Sequence, residues 1–207
     1  MKLLIFEWAG GTYTYPDMIE SLSKNNITFK TVSYKFDGRK EDEFFEYRFG
    51  KVLEEDFDAV FSVNYFPLVA KCCNRHGITY ISWSYDNPLN VVDIEETLGL
   101  PVNKVFLFDR IQVKKFHDKG FDNVHHMPLA TNCRRLDAIK LTDRDIAQYG
   151  AEVSFVGRIY DSMYNRFMAY MDDYCRGYIE RAMAAQSKIF GYYMIDEMLD
   201  DGIMKRI

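Results

Sequence analysis

Residues 80–90, YISWSYDNPLN, place a carboxylate, Asp86, where an apolar run of strand length meets a proline-broken loop. A carboxylate at a strand's end can accept a proton from a bound hydroxyl. The competing reading is a turn, because Asp and Asn ahead of proline are strong turn formers. Trp83, Tyr85 and Asn87 surround Asp86 with the aromatic faces and amide that suit a carbohydrate. Asn64 closes another apolar run, and Gly10 and Gly11 close the first one. Paired glycines let backbone N–H groups approach a phosphate at a helix N-terminus, or simply make a tight turn. His76, His117, His125 and His126 form no H-E-x-x-H and no cysteine-histidine cluster, so no metal is assigned. His125 and His126 alternate along an extended run, which puts one toward the core and the other toward solvent or a cleft.

The elements that must position these residues follow from hydrophobic periodicity. Apolar runs at residues 2–8, 27–34, 58–65, 78–85, 104–109 and 123–130 read as strands. Amphipathic segments at 15–26, 40–56, 66–77 and 110–120 read as helices between them, two of which stop at glycine, Gly77 and Gly120. Strand, helix, strand with short connections predicts an α/β fold: a doubly wound, mostly parallel, Rossmann-like sheet over the first 130 or so residues. Ligands bind such sheets outside the carboxyl ends of the strands, where Gly10, Gly11, Asn64 and Asp86 all fall. Residues 132–150 turn polar and lose the strand period, which sets a domain boundary near Tyr149 and Gly150. A second domain over 151–207 is then expected to open with a strand at EVSFVGRIY. Helices follow, with Tyr164, Phe167, Met168, Met171, Tyr174 and Tyr178 along one packing face.

Composition narrows the function classes. The 207 residues are 48% hydrophobic and 28% charged, a globular balance, and a net charge of −5 without a basic block excludes a nucleic-acid backbone as partner. No window is long and apolar enough for a membrane span, and the opening MKLLIFEW reads as a first strand rather than a secretion signal. Four cysteines without C-x-x-C spacing fit a reducing cytoplasm.

The phrases FEWAG, VFSVNYFPLVAKCCNRHGITYISWSYDNP, VFLFDR, HMPLATN, EVSFVGRIY and DDYCRGYIERAMAAQSKIFGY, in that order, resemble the N-terminal region of bacterial glycosyltransferases related to spore-maturation proteins. That region is known as a domain of unknown function. The resemblance spans nearly the whole chain and implies the N-terminal half of a GT-B fold. It implies a hexosyltransferase-like activity, with a nucleotide-sugar donor as substrate rather than a cofactor, and an acceptor of unknown identity. It places Asp86 beside the reaction centre as the base, and Asn64, Trp83, Tyr85 and Asn87 are then the candidates for the acceptor. It carries Gly157 and Arg158 of FVGRIY, with Arg166, to the donor diphosphate beside Gly10 and Gly11. The guanidinium fork of Arg158 suits phosphate, although a surface salt bridge accounts equally for either arginine. The lysine-glycine pair that often follows in such enzymes is absent. The resemblance further implies that most of the nucleotide grip lies beyond residue 207. The isolated chain is then expected to bind nucleotide sugars weakly and to be inactive alone, and either to self-associate through apolar faces of its C-terminal helices or to fold that tail back onto the first domain. A non-catalytic Rossmann-like binding or interaction module is the alternative, since this fold hosts many functions.

Overall fold

Six of the apolar runs pair into one sheet, β1 (Lys2–Trp8), β2 (Thr28–Tyr34), β3 (Ala59–Val63), β4 (Thr79–Ser84), β5 (Asn103–Leu107) and β6 (Val124–His126). The structure is a computed structural model that describes residues 1–8, 13–35, 42–89, 91–157 and 163–206. Every pairing is parallel and the order is β2-β1-β3-β4-β5-β6. The chain leaves β1 toward β2 and returns to add β3 on the other side, so the order reverses between β1 and β3. That is the switch point at which doubly wound sheets open a crevice.

The connecting helices are α1 (Tyr15–Lys24), α2 (Glu43–Leu53), α3 (Pro67–His76), α4 (Glu95–Leu98) and α5 (Arg110–Asp118), and α6 (Cys133–Asp137) follows the last strand. Local chemistry sets their ends. Asp42 accepts from the Phe45 amide at 2.9 Å to start α2. Pro67 opens α3, and Gly77 closes it in the left-handed region at φ 65°. Register aligns Leu4 with Val60, Val60 with Tyr80 and Tyr80 with Asn103, so these residues share one face. On that face Phe49 of α2, Leu68 of α3, Leu98 of α4 and Val113 of α5 join one buried cluster with Leu4, Val60, Tyr80 and Val105. Helix α1 buries no residue completely.

Two details depart from the sequence expectation in this part of the chain. The sixth strand stops at His126 rather than running to residue 130, because Pro128 has no N–H for a ladder bond. Helix α4 was not foreseen. Its four residues are held by buried Asn103, whose Nδ2 donates to the Thr97 and Leu98 carbonyls at 2.8 and 3.0 Å.

The described residues divide into two units, Met1–Lys140 and Leu141–Ile207. Within the second lie α7 (Asp143–Tyr149), α8 (Tyr164–Met168), α9 (Asp173–Gln186), α10 (Ile195–Met198) and α11 (Asp201–Met204). The strand expected at the start of EVSFVGRIY is absent from its described residues. Val153, Phe155 and Val156 are 91%, 90% and 96% exposed, the chain bends at 152–153, and a segment without a ladder partner is not a strand. The single packing face expected for the helices is also interrupted. Asp172 accepts from the Cys175 amide at 2.7 Å and starts α9 afresh, so Met168 is buried while Phe167 and Tyr174 are exposed.

Beneath the ends of β3 and β4 runs a buried relay. The Ser62 hydroxyl donates to the Asn64 carbonyl at 2.6 Å, so its oxygen receives the Tyr80 proton at 2.6 Å. The Tyr80 oxygen in turn accepts the Phe66 amide at 3.0 Å. Burial, the largest influence, pushes the Tyr80 phenol well above its usual pKa, so it stays protonated and able to donate. Tyr80→Phe therefore leaves the Phe66 amide without its acceptor and should lower unfolding free energy by about 1–3 kcal/mol in urea titrations at unchanged m. A loss below about 0.5 kcal/mol would mean the relay does not matter for stability.

Candidate functional site

Asn64 is the first residue after β3, and its backbone is left-handed at φ 67°, a conformation that asparagine tolerates better than most side chains. Turned this way, its amide donates to the Trp83 carbonyl at 3.0 Å. Its Oδ1 accepts from the Tyr85 amide at 3.2 Å, and its Nδ2 donates to Asp86 Oδ2 at 2.8 Å. Three hydrogen bonds thus tie the end of β3 to the end of β4. On the other side Asn87 donates to Asp109 Oδ2 at 2.7 Å, and Asp109 Oδ1 accepts from the Gln112 amide at 2.8 Å to cap α5. The cap bond, aided by Asn87, holds the Asp109 carboxyl below its ordinary pKa. The 85–88 loop, with a cis Asn87-Pro88 peptide, is pinned from both neighbouring strands.

Within this frame the two carboxylates differ. Asp109 spends both oxygens on structure. Asp86 is exposed, and among the described residues only its Oδ2 is engaged, which leaves Oδ1 for a ligand at the carboxyl edge of the sheet. Beside it, half-buried Tyr85 has its pKa raised, first by desolvation and then by the Asp86 charge, and so remains a neutral phenol. The arrangement can accept a proton from a hydroxyl at Asp86 and donate hydrogen bonds around it.

Asn64, Tyr85 and Asp86 are thus brought into one network and Asn87 is placed on its far side. Trp83 points elsewhere. It alternates with Ser82 and Ser84, and it lines a cleft of about 360 Å³ with α1 and residues 130–133. His125 is half-buried against the Phe106 ring at 5.5 Å, and His126 is exposed. Gly157 and Arg166 are exposed and belong to the second unit. Gly10, Gly11 and Arg158 lie outside the described residues.

Sequence reasoning missed the groups around α1. Asn132 Nδ2 donates to Asp17 at 2.9 Å and to Glu20 at 2.8 Å, and Arg135 grips Asp17 through Nε and a terminal nitrogen at 2.8 and 2.9 Å. These partners are more than a hundred residues apart in the chain, and no local signal connects them. Asp109 had one: an aspartate three residues ahead of Gln112 at the start of an amphipathic run is a helix-start signature. Among the described residues no group of three or more His, Cys, Asp or Glu side chains could hold a metal ion, and no helix is long and apolar enough to cross a membrane.

Comparison of the chain with protein-family models, with curated proteins and with solved structures gave no match.

Replacing Asn64 separates its two contributions. Asn64→Gly loses the side-chain bonds but tolerates the left-handed backbone, whereas Asn64→Ala loses the same bonds and adds strain. The alanine variant should be the less stable by about 1 kcal/mol in urea unfolding, and equal stabilities would contradict the left-handed geometry. The Arg135 contact, the largest influence, and then Asn132 hold the Asp17 carboxyl below its ordinary 3.8. A lowered folded value contributes stability above 3.8 that is lost as pH falls through the folded value. The melting temperature of the native chain should therefore exceed that of Asp17→Asn at neutral pH and converge with it in acid. A gap that persists unchanged in acid would remove Asp17 from the linkage.

Proposed function

We propose that the chain is the acceptor-side part of a glycosyltransferase that moves a sugar from a nucleotide-sugar donor to an acceptor hydroxyl. The observation that carries the reading is the exposed Asp86 carboxylate, held by Asn64 at the carboxyl edge of a parallel sheet, one strand from the switch point. The resemblance noted from the sequence supplies the reaction class. In the proposed step the acceptor oxygen bonds to the anomeric carbon of the donor sugar, and its proton passes to Asp86 Oδ1. The bond between that carbon and the diphosphate oxygen breaks, and the electron pair leaves with the nucleoside diphosphate. Asn64 holds Oδ2, and Oδ1 is the oxygen assigned to the acceptor proton. The leaving diphosphate needs cationic or N–H donors, and in this unit the Gly10 and Gly11 loop is assigned to that task.

Asp86→Asn keeps an oxygen to accept from Asn64 and removes the base. In the protein as its gene encodes it, kcat for sugar transfer should fall about 100- to 10,000-fold while KM for the donor moves only a few-fold. A kcat within about twofold of the native value, with folding intact, would return Asp86 to a turn-forming role and leave a binding module.

A further inference from the structure

On the face of the sheet opposite the α2–α5 cluster, α1 and residues 130–133 flank the 360 Å³ cleft, within the range of about 300–1,000 Å³ typical of small-molecule sites. Its surface combines apolar side chains, Trp83, Met18 and Leu22, with the carboxylates of Asp17 and Glu20. The carboxylates there are already compensated. Arg135 pairs with Asp17 and Lys24 with Glu20, and Arg134 adds its charge beside Glu20. With each carboxylate and cation already paired, neither a cationic nor an anionic ligand finds an uncompensated partner here. Asn132 has spent both N–H groups on the same two carboxylates, whose remaining lone pairs accept, beside the hydroxyls of Ser21 and Thr131. The Trp83 indole N–H is closed off without an acceptor among the described residues, a donor left unmade.

A neutral ligand rich in hydroxyl donors, with one apolar face, matches this surface. We infer that the cleft seats a pyranose ring of the acceptor, its C–H face on Trp83, Met18 and Leu22 and its hydroxyls donating to Asp17 and Glu20. Resting on the glycosyltransferase reading, the inference names the acceptor as a neutral sugar and explains how it reaches the base. Trp83 precedes Asp86 by three residues, at most about 10 Å between their Cα atoms, a distance that a second ring joined to the seated sugar can bridge.

The two tryptophans, Trp8 and Trp83, make the test direct, because each contributes one indole N–H signal to a proton–nitrogen correlation spectrum. Trp83→Phe assigns them. Titration with methyl α-D-glucopyranoside and methyl α-D-mannopyranoside should shift the Trp83 signal saturably with at least one probe while Trp8 stays still. Choline and inorganic phosphate should leave both signals in place. Glu20→Gln should raise Kd several-fold, with an unmoved Trp8 signal reporting that the fold persists. A Trp83 signal that responds to neither pyranoside, or responds to choline or phosphate instead, overturns the inference. Saturable pyranoside binding by a protein that transfers no sugar would keep the cleft and sink the enzyme reading. Sugar transfer with a mute Trp83 signal would do the reverse.

Discussion

The hydroxyl of Tyr80 sits where everything at the carboxyl edge of the sheet is decided. It is fully buried, and a buried hydroxyl must find partners or cost the fold its desolvation. Its partners are chosen so that one relay serves three elements. The proton goes to Ser62 of β3, the oxygen holds the Phe66 amide at the start of α3, and Ser62 passes the constraint to the Asn64 carbonyl. Asn64 is thereby held with its side chain across to β4, and Asp86 takes its orientation from Asn64. The Tyr65 ring packs 5.8 Å from Tyr80 and extends the polar seam through Thr97 and Asn103 to α4. Loss of solvent, the dominant influence, pushes the Tyr65 phenol up to about 12, which keeps it protonated for its bond to Thr97. The seam is not saturated, since buried Asn103 Oδ1 finds no partner among the described residues, but the bonds that are made polarise one another along it.

The sheet is covered unequally. Helices α2, α3, α4 and α5 all contribute to the buried cluster on one face, whereas α1 buries none of its residues. Crossover handedness produces this asymmetry. Right-handed connections that step from β2 toward β6 share a face, and only the single step from β1 back to β2 places its helix on the other. Fewer helices on that side leave the room in which Trp83, α1 and residues 130–133 enclose a cleft. The Asp17–Arg135 pair is exposed and adds little stability by itself, but its bidentate geometry, with Asn132, sets where the post-β6 segment lies against α1.

The second unit shows how little local pattern decides without partners. Met168, Cys175, Ala182 and Ile203 are its buried apolar residues among those described, a small set for five helices. Its helix starts are set locally, by Asp172 for α9 and by a reciprocal Thr142 and Asp145 capping box for α7. Its aromatic residues were expected on one packing face. Asp172 divides that face because capping a new helix satisfies amides that a continued helix would not need satisfied.

The six strands, α1, α2, α3 and α5 and the glycine stop at Gly77 were legible in the chain, because hydrophobic period and capping residues are local properties that survive in any context. Strand-end positions for Asn64 and Asp86 followed from the same periodicity. Their hydrogen bond did not, since residues 22 apart meet only once parallel register sets β3 against β4. Asn103 as the anchor of α4, Asp109 as partner of Asn87 and Asn132 as bridge to α1 are likewise products of packing. Each is a polar side chain whose role depends on which backbone group or carboxylate tertiary structure brings within 3 Å, and hydrogen bonds of that reach leave no period in a sequence.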